Sequence, residues 1–322
     1  MRTIRILWAL PIVSFLCVPT NTRAQVQLAS AQGEVGYQLP VEGLMRWTSN
    51  LLVGCDYCDG KPILWTVDSQ ANRESIAFMV PGADFVHVRD VASGPDRSLA
   101  AVGFAVSGSH RMGTFIAWIS PDRTKQNIVR VWPFDPNVVA IAPDESIWAV
   151  GSVAKDTARA LYDNVLRHYS PSGELLASTI IQGLRPQASG MAEVSNLSNL
   201  MASNDRIGWL TSSCQYIEFS FDAVEAGRYS CPNGATNSMK LAGVALSPGD
   251  HLLVGSVWLG PLTPLQLNRS TSTWTQVPVS QDSGKTWKIL GFDSNALVTA
   301  STSSTMRRYA MSPAPAAGVA GN

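Results

Sequence analysis

The chain has 322 residues, of which 45% are hydrophobic and 15% charged, with 25 glycines, 19 prolines and 10 tryptophans. Charged residues usually make up roughly a quarter of a soluble protein, so this chain is poor in charge and rich in turn formers. That balance excludes a disordered chain, a coiled coil and a highly charged nucleic-acid binder.

Arg2 and Arg5 open a basic start, an apolar stretch runs from Ile6 to Val18, and Thr22-Arg23-Ala24 ends in the small residues a signal peptidase reads. The pattern predicts a secretory signal over 1–24, cleaved to leave 298 residues exported to the periplasm or outside a bacterial cell. No later segment holds 18 uninterrupted apolar residues, so stable membrane insertion is not expected. Cleavage leaves 21 basic residues against 24 acidic ones, and no Lys/Arg run longer than Arg307-Arg308. Nothing in that balance draws nucleic acid.

Residues 25–313 read as one repeating domain, followed by a Pro/Ala/Gly tail over 314–322. One phrase recurs: an apolar strand, a polar turn on Asp or Asn, and a second apolar strand ending in Gly. Its clearest copies run from Val91 to Gly103, from Val139 to Gly151 and from Val244 to Gly255. With looser copies the anchors are Asn50, Asp96, Asp144, Asp205, Asp250 and Asp293, spaced by 46, 48, 61, 45 and 43 residues. Proline presets φ in the turn and Asp, Asn and Gly accept the reversal, so each phrase predicts a hairpin. A second hairpin follows in each unit, as in Val165–Tyr169, the turn Ser170-Pro171-Ser172-Gly173 and Glu174–Ser178. Four strands per period of roughly 45 residues predict a propeller blade. The expected fold is all-β: a six-bladed β-propeller of four-stranded antiparallel blades. The last unit lacks a fourth strand after Met311, and the spare segment Glu34–Leu39 is expected to supply it and close the ring.

The phrase Val139-x-Ile141-Ala142-Pro143-Asp144-x-Ser146-Ile147, followed by Tyr169-Ser170-Pro171-Ser172-Gly173-Glu174, resembles the NHL-type and gluconolactonase-like propellers. That resemblance implies fold from Leu39 to Pro313. In the gluconolactonase-like enzymes a divalent metal sits on the channel axis, and a matching ligand set is not found position by position here. Ser280-x-Asp282-x-Gly284-x-Thr286-Trp287 resembles the Asp-box, a structural turn in that family, and falls between units.

After the signal, four cysteines remain: Cys55, Cys58, Cys214 and Cys231. In an oxidising compartment an even number suggests pairs, with Cys55–Cys58 and Cys214–Cys231 favoured; redox-active thiols and a metal site are the alternatives. Propellers bind ligands on the face built by the loops leading into first strands and the loops joining second to third strands. That face is expected to present Arg46, Arg89, Asn137, Asn196, Lys240 and Lys288, together with Asp56, Tyr57, Asp59, His110, Arg111, Asp156, Arg159 and Trp258. The 61-residue unit carries the longest connections, Ala154–Asn164 and Arg185–Asn199, and points to Lys155, Asp156, Arg159 and Tyr162 as specificity residues. His87, His110, His168 and His251 stand in no nucleophile or zinc motif. The sequons at Asn196 and Asn268 read as chance.

The expected function is a binding or protein-interaction module, acting as a monomer on an unknown protein or a polar small ligand, without a cofactor. The alternative is a hydrolase or lactonase with a divalent metal on the ring axis.

Overall fold

The computed structural model describes residues 26–38, 44–48, 51–68, 70, 72–108, 110–156, 161–184, 200–211, 215–230, 240–246, 252–257, 263–277, 286–293, 296–301 and 305–313. The expected signal and the C-terminal tail lie outside them.

A first strand, β1 (Val26–Gln38), precedes a series of antiparallel meanders. The first meander comprises β2 (Met45–Thr48), β3 (Leu51–Asp56), β5 (Ile63–Val67) and β6 (Arg73–Ala77), with the two-residue β4 (Asp59–Gly60) inside the β3–β5 connection. Next come β7 (Phe85–Ser93), β8 (Leu99–Ser107), β9 (His110–Ile119) and β10 (Gln126–Arg130), whose sheet β4 joins by pairing with β7. The third holds β11 (Asp135–Ile141), β12 (Ile147–Asp156), β13 (Leu161–Tyr169) and β14 (Leu175–Ile180). The fourth holds β15 (Leu200–Ala202), β16 (Ile207–Leu210), β17 (Gln215–Phe219) and β18 (Glu225–Ser230). Beyond these, β19 (Lys240–Leu246), β20 (Leu252–Val257), β21 (Thr263–Asn268) and β22 (Thr273–Gln276) form a further sheet. Finally β23 (Thr286–Asp293), β24 (Ala296–Ser301) and β25 (Thr305–Pro313) assemble in order, with β1 pairing against β25. The spare strand is longer than Glu34–Leu39: its pairing runs from Val26 opposite Pro313 to Gln38 opposite Thr305.

The architecture is an all-β propeller. The first strands of neighbouring sheets lie against one another: β2 against β7 and β23, β11 against β7 and β15, and β19 against β23. Apolar layers fill the spaces between sheets. Leu51, Val53, Leu64 and Phe78 of the first pack with Val88, Leu99, Phe115 and Ile119 of the second. Val102 and Ile116 meet Val139, Ile147 and Tyr169, and Trp148 and Leu166 meet Trp209, Ile217 and Phe219. The second and third sheets are apolar on both faces, which is why their inner strands read as apolar runs instead of alternating ones.

Polar bonds between sheets repeat the period of the sequence. Thr48 Oγ1 meets Ser93 Oγ at 2.6 Å, Asn127 Nδ2 donates to the Pro171 carbonyl at 3.1 Å, and Trp274 Nε1 donates to the Ser230 carbonyl at 2.8 Å. Their partners are 45, 44 and 44 residues apart, one repeat in each case.

The recurrent turn has a common build. In the third meander Ala142 N–H donates to the Ser146 carbonyl, Glu145 N–H to the Ala142 carbonyl, and Asp144 Oδ1 accepts Ser146 N–H at 3.1 Å and Ser146 Oγ–H at 2.6 Å. Glu145 lies at φ 67°, and Arg97, Arg123 and Ala223 occupy the same left-handed position after an Asp at 72°, 62° and 59°. The Gly that ends the phrase is needed for a different reason. A β carbon at Gly103 or Gly151 would collide with the carbonyl oxygen of His87 or Asp135 on the adjoining first strand. At those carbonyls β7 and β11 carry bulges, between Val88 and Asp90 and between Pro136 and Val138.

The Ala154–Asn164 excess is not a plain loop. β12 and β13 extend as a ladder as far as Asp156 opposite Leu161, because backbone pairing continues past the core. The second excess, Arg185–Asn199, and the Asp-box segment through Lys285 lie outside the described residues.

Candidate binding face

In such a meander the connection from second to third strand and the connection to the next sheet emerge at the same end, while the two tight turns emerge at the other. The loop end of the first three sheets therefore carries the β3–β5, β6–β7, β8–β9, β10–β11 and β12–β13 connections. Cross-bonds tie these connections to strands and to one another: Val88 N–H on β7 donates to the Cys58 carbonyl at 2.9 Å, Gly108 N–H to Asp84 Oδ2 at 2.7 Å, and Val131 N–H to the Thr114 carbonyl on β9 at 3.0 Å.

Arg46 does not stand on this rim. It is 6% exposed, on β2, and its guanidinium crosses to three other first strands. It donates to Asp90 Oδ2 on β7 at 2.5 Å, to the Val139 carbonyl on β11 at 2.8 Å and to the Leu200 carbonyl on β15 at 3.1 Å. The same Asp90 oxygen accepts Val139 N–H at 2.8 Å. A buried charge is tolerated only when paired and hydrogen-bonded, and this one ties four first strands together where a propeller has its axis.

Arg89 is likewise not a free rim residue. The β7 bulge turns it toward the third sheet, where it donates to Asp135 Oδ1 at 2.8 Å, the Pro136 carbonyl at 3.0 Å and Asn137 Oδ1 at 3.1 Å. Bulges commonly re-aim a side chain in this way. Its guanidinium also lies over the Phe104 ring, 5.4 Å from the centroid. Arg46, Arg89 and Asn137 thus form the frame beneath the face.

The loops above present other groups. Tyr57, Met79 and Trp132 are 78%, 75% and 65% exposed, on the β3–β5, β6–β7 and β10–β11 connections. Asp59 pairs with His87 Nδ1, and the His87 ring packs on Phe104 at 4.8 Å. Asp56 accepts from Trp65 Nε1 at 2.9 Å and pairs with Arg73, so it is held in the structure of its own sheet. Sequence reading found Tyr57 and Asp59 but missed Met79 and Trp132, which lie in connections between units where no phrase flags them.

Lys155 and Tyr162 sit on the extended β12–β13 ladder, Lys155 paired with Asp163 at 3.3 Å. His110 and Asp156 are placed at the ends of β9 and β12, and Lys240 and Lys288 on β19 and β23, by backbone alone. Arg159, Trp258, Asn196, Cys214 and Cys231 lie outside the described residues. Cys55 and Cys58, expected as a disulfide pair, stand side by side as free thiols.

Among the described residues no group of three or more His, Cys, Asp or Glu could hold a metal ion. At the Arg46 level the donor set does not fit a divalent cation, because a guanidinium already occupies the carboxylate of Asp90. No helix among them is long and apolar enough to cross a membrane.

No protein-family profile and no curated protein sequence matches the chain. Among solved structures, it is similar to a protein of Bacteroides fragilis described as exported, with 12% identity, a TM-score of 0.52, and coverage of 85% of this chain and 83% of that one. It also overlays on the β-propeller domain of Cps50 (Swd1) from Myceliophteria thermophila, with 8% identity, a TM-score of 0.49, and coverage of 87% and 99%. A third match is BBS1N, solved in complex with ARL6DN, with 11% identity, a TM-score of 0.47, and coverage of 83% and 77%. The likeness is one of fold, and by fold this chain is an all-β propeller.

Proposed function

We propose that the chain is an exported six-bladed propeller, closed by β1, that serves as a binding module for a partner protein or a polar ligand at the cell envelope or outside the cell. The ring reading rests on the succession of four-stranded sheets, the contacts between their first strands and the β1–β25 pairing. Such a ring leaves no gap between its first and last sheets and keeps only short outer edges, so it is proposed to act as a monomer. Export rests on the N-terminal signal pattern, and the described Bacteroides fragilis protein of similar fold is called exported as well.

The observation that carries the binding reading is the Arg46–Asp90 knot among the first strands. It engages the Asp90 carboxylate with a guanidinium, and the loop end, with Tyr57, Met79 and Trp132 exposed, is the surface this reading assigns to recognition. Aromatic and Met side chains of this kind are enriched at protein interfaces.

The test is site-specific photo-crosslinking in the exporting cell. A photoreactive residue at Trp132 or Tyr57 should capture a defined partner, while one at Leu175 on the outer strand β14 should not. Equal capture from both ends, or none from the loop end, would sink the assignment of the face.

A further inference from the structure

The segment Cys55-Asp56-Tyr57-Cys58 carries chemistry that ligand binding on the face does not require. Cys55 lies near the end of β3, buried in the layer between the first two sheets, and Cys58 is half-buried against the same layer. Both thiols are free and hydrogen-bonded to each other, and Cys58 Sγ also reaches the Cys55 carbonyl at 3.2 Å. One residue serves both: the Leu44 carbonyl accepts Cys55 N–H at 3.2 Å, and Leu44 N–H is directed at the Cys58 sulfur. On the opposite flank the Cys58 carbonyl accepts Val88 N–H, and Asp59 and Gly60 pair with His87 and Val86. The loop is thus fixed from two sheets, with exposed Tyr57 at its tip in the left-handed region, φ 49°.

A permanent clamp gains little here. In the chain-entropy model a disulfide closing a four-residue loop stabilises a fold less than one closing a longer loop. The two sulfurs are also unequal. The bond from Cys55 and the Leu44 N–H both favour a thiolate at Cys58, lowering its pKa. The bond to Cys58 and burial push the Cys55 thiol up. An accessible sulfur with a stabilised thiolate beside a buried thiol is the arrangement that attacks and then resolves a disulfide.

We propose that Cys55 and Cys58 form a reversible thiol–disulfide exchange site, with Cys58 as the attacking sulfur and Cys55 as the resolving one, acting on an exposed disulfide. The Cys58 thiolate bonds to one sulfur of that disulfide, whose S–S bond breaks and releases the other sulfur as a thiolate. Cys55 then loses its proton and attacks Cys58 in the mixed disulfide, and the second sulfur leaves as a thiolate. The protein, with Cys58 as thiolate, gives up two electrons and the Cys55 proton, and that proton with one from solvent turns the two departing thiolates into thiols. The reverse sequence restores the dithiol.

The test uses the whole chain with glutathione disulfide as probe and peptide mapping to separate this pair from Cys214 and Cys231. Pulse alkylation of the reduced wild type at neutral pH should modify Cys58 at least ~10-fold faster than Cys55. Glutathione disulfide should form the Cys55–Cys58 bond, Cys55→Ser should retain glutathione on Cys58, and Cys58→Ser should leave Cys55 unmodified. Equal alkylation of the two, no reaction with glutathione disulfide, or a bond that native protein keeps in reducing glutathione buffer would overturn the proposal. The wild-type labelling decides even where a variant fails to fold.

Discussion

His168 shows how much one side chain in a repeat can depend on its neighbours. It stacks on Trp148, ring centroids 3.9 Å apart at 10°, and its Nε2 is buried without a hydrogen-bond partner. Burial lowers its pKa below 6.5, only partly opposed by the charge of Asp144. The unfolded chain therefore takes up the proton first, and stability falls as pH drops from about 6.5 toward the folded-state value, staying complete above it. Replacing His168 by Phe keeps the stacked ring and removes the titration. Melting temperature against pH should then have a shallower slope below about pH 6.5 than in the wild type; an unchanged slope would assign it to other groups. Arg46 is the residue whose loss should be felt most. Removing one partner of a buried pair costs about 3–5 kcal/mol, so Arg46→Met and Asp90→Asn should each lower stability by that order in urea unfolding. Replacing both by apolar residues should recover a large part of the loss, whereas additive losses would mean that the two act separately.

At the scale of the element, the turns carry a strain the sequence does not need. Glu145 is exposed and left-handed, a conformation that disfavours an L residue by about 1–2 kcal/mol relative to glycine's freedom, from which glycine's greater chain entropy subtracts. Glu145→Gly is expected to raise the melting temperature slightly. Asp144→Ala removes acceptors for Ser146 N–H and Oγ–H and should lower it by the equivalent of about 1 kcal/mol. Opposite signs in a thermal scan check the turn geometry; the same sign for both would refute it. Between sheets the equivalent element is Glu218 on β17, buried and held by Arg206 at 3.2 Å and, from the β21–β22 turn, by Arg269 at 2.6 Å. The hairpins were legible because their determinants are local: in two of the clearest copies Pro-Asp and its two flanking residues lie within four positions. The bulges of β7 and β11 were not, although Gly103 and Gly151 mark them, since a bulge shows only when two strands are laid in register. That is why Arg89 was expected on the rim and is found turned into the next sheet.

For the whole molecule, the period of roughly 45 residues was readable because the contacts that hold sheets together recur at that separation, as from Arg89 to Asp135, 46 residues away. The axis was not readable. Arg46 is bonded to carbonyls 93 and 154 residues away, and backbone acceptors have no signature in side-chain pattern. The long pairing of β1 with β25 makes the N-terminal strand part of the fold, so removing residues 25–40 should lower the melting temperature markedly and expose β25 to association. An unchanged melting temperature and monomeric elution would speak against closure by that strand. The most direct test of the proposal that recognition belongs to the loop face and not to an axial metal is metal content by elemental analysis of the purified protein, calcium and zinc together, before and after chelator. The expected result is no stoichiometric metal and the same melting temperature in chelator. One calcium or zinc per chain, lost together with stability when Asp90 is changed to Asn, would contradict it and return the axis to a catalytic metal.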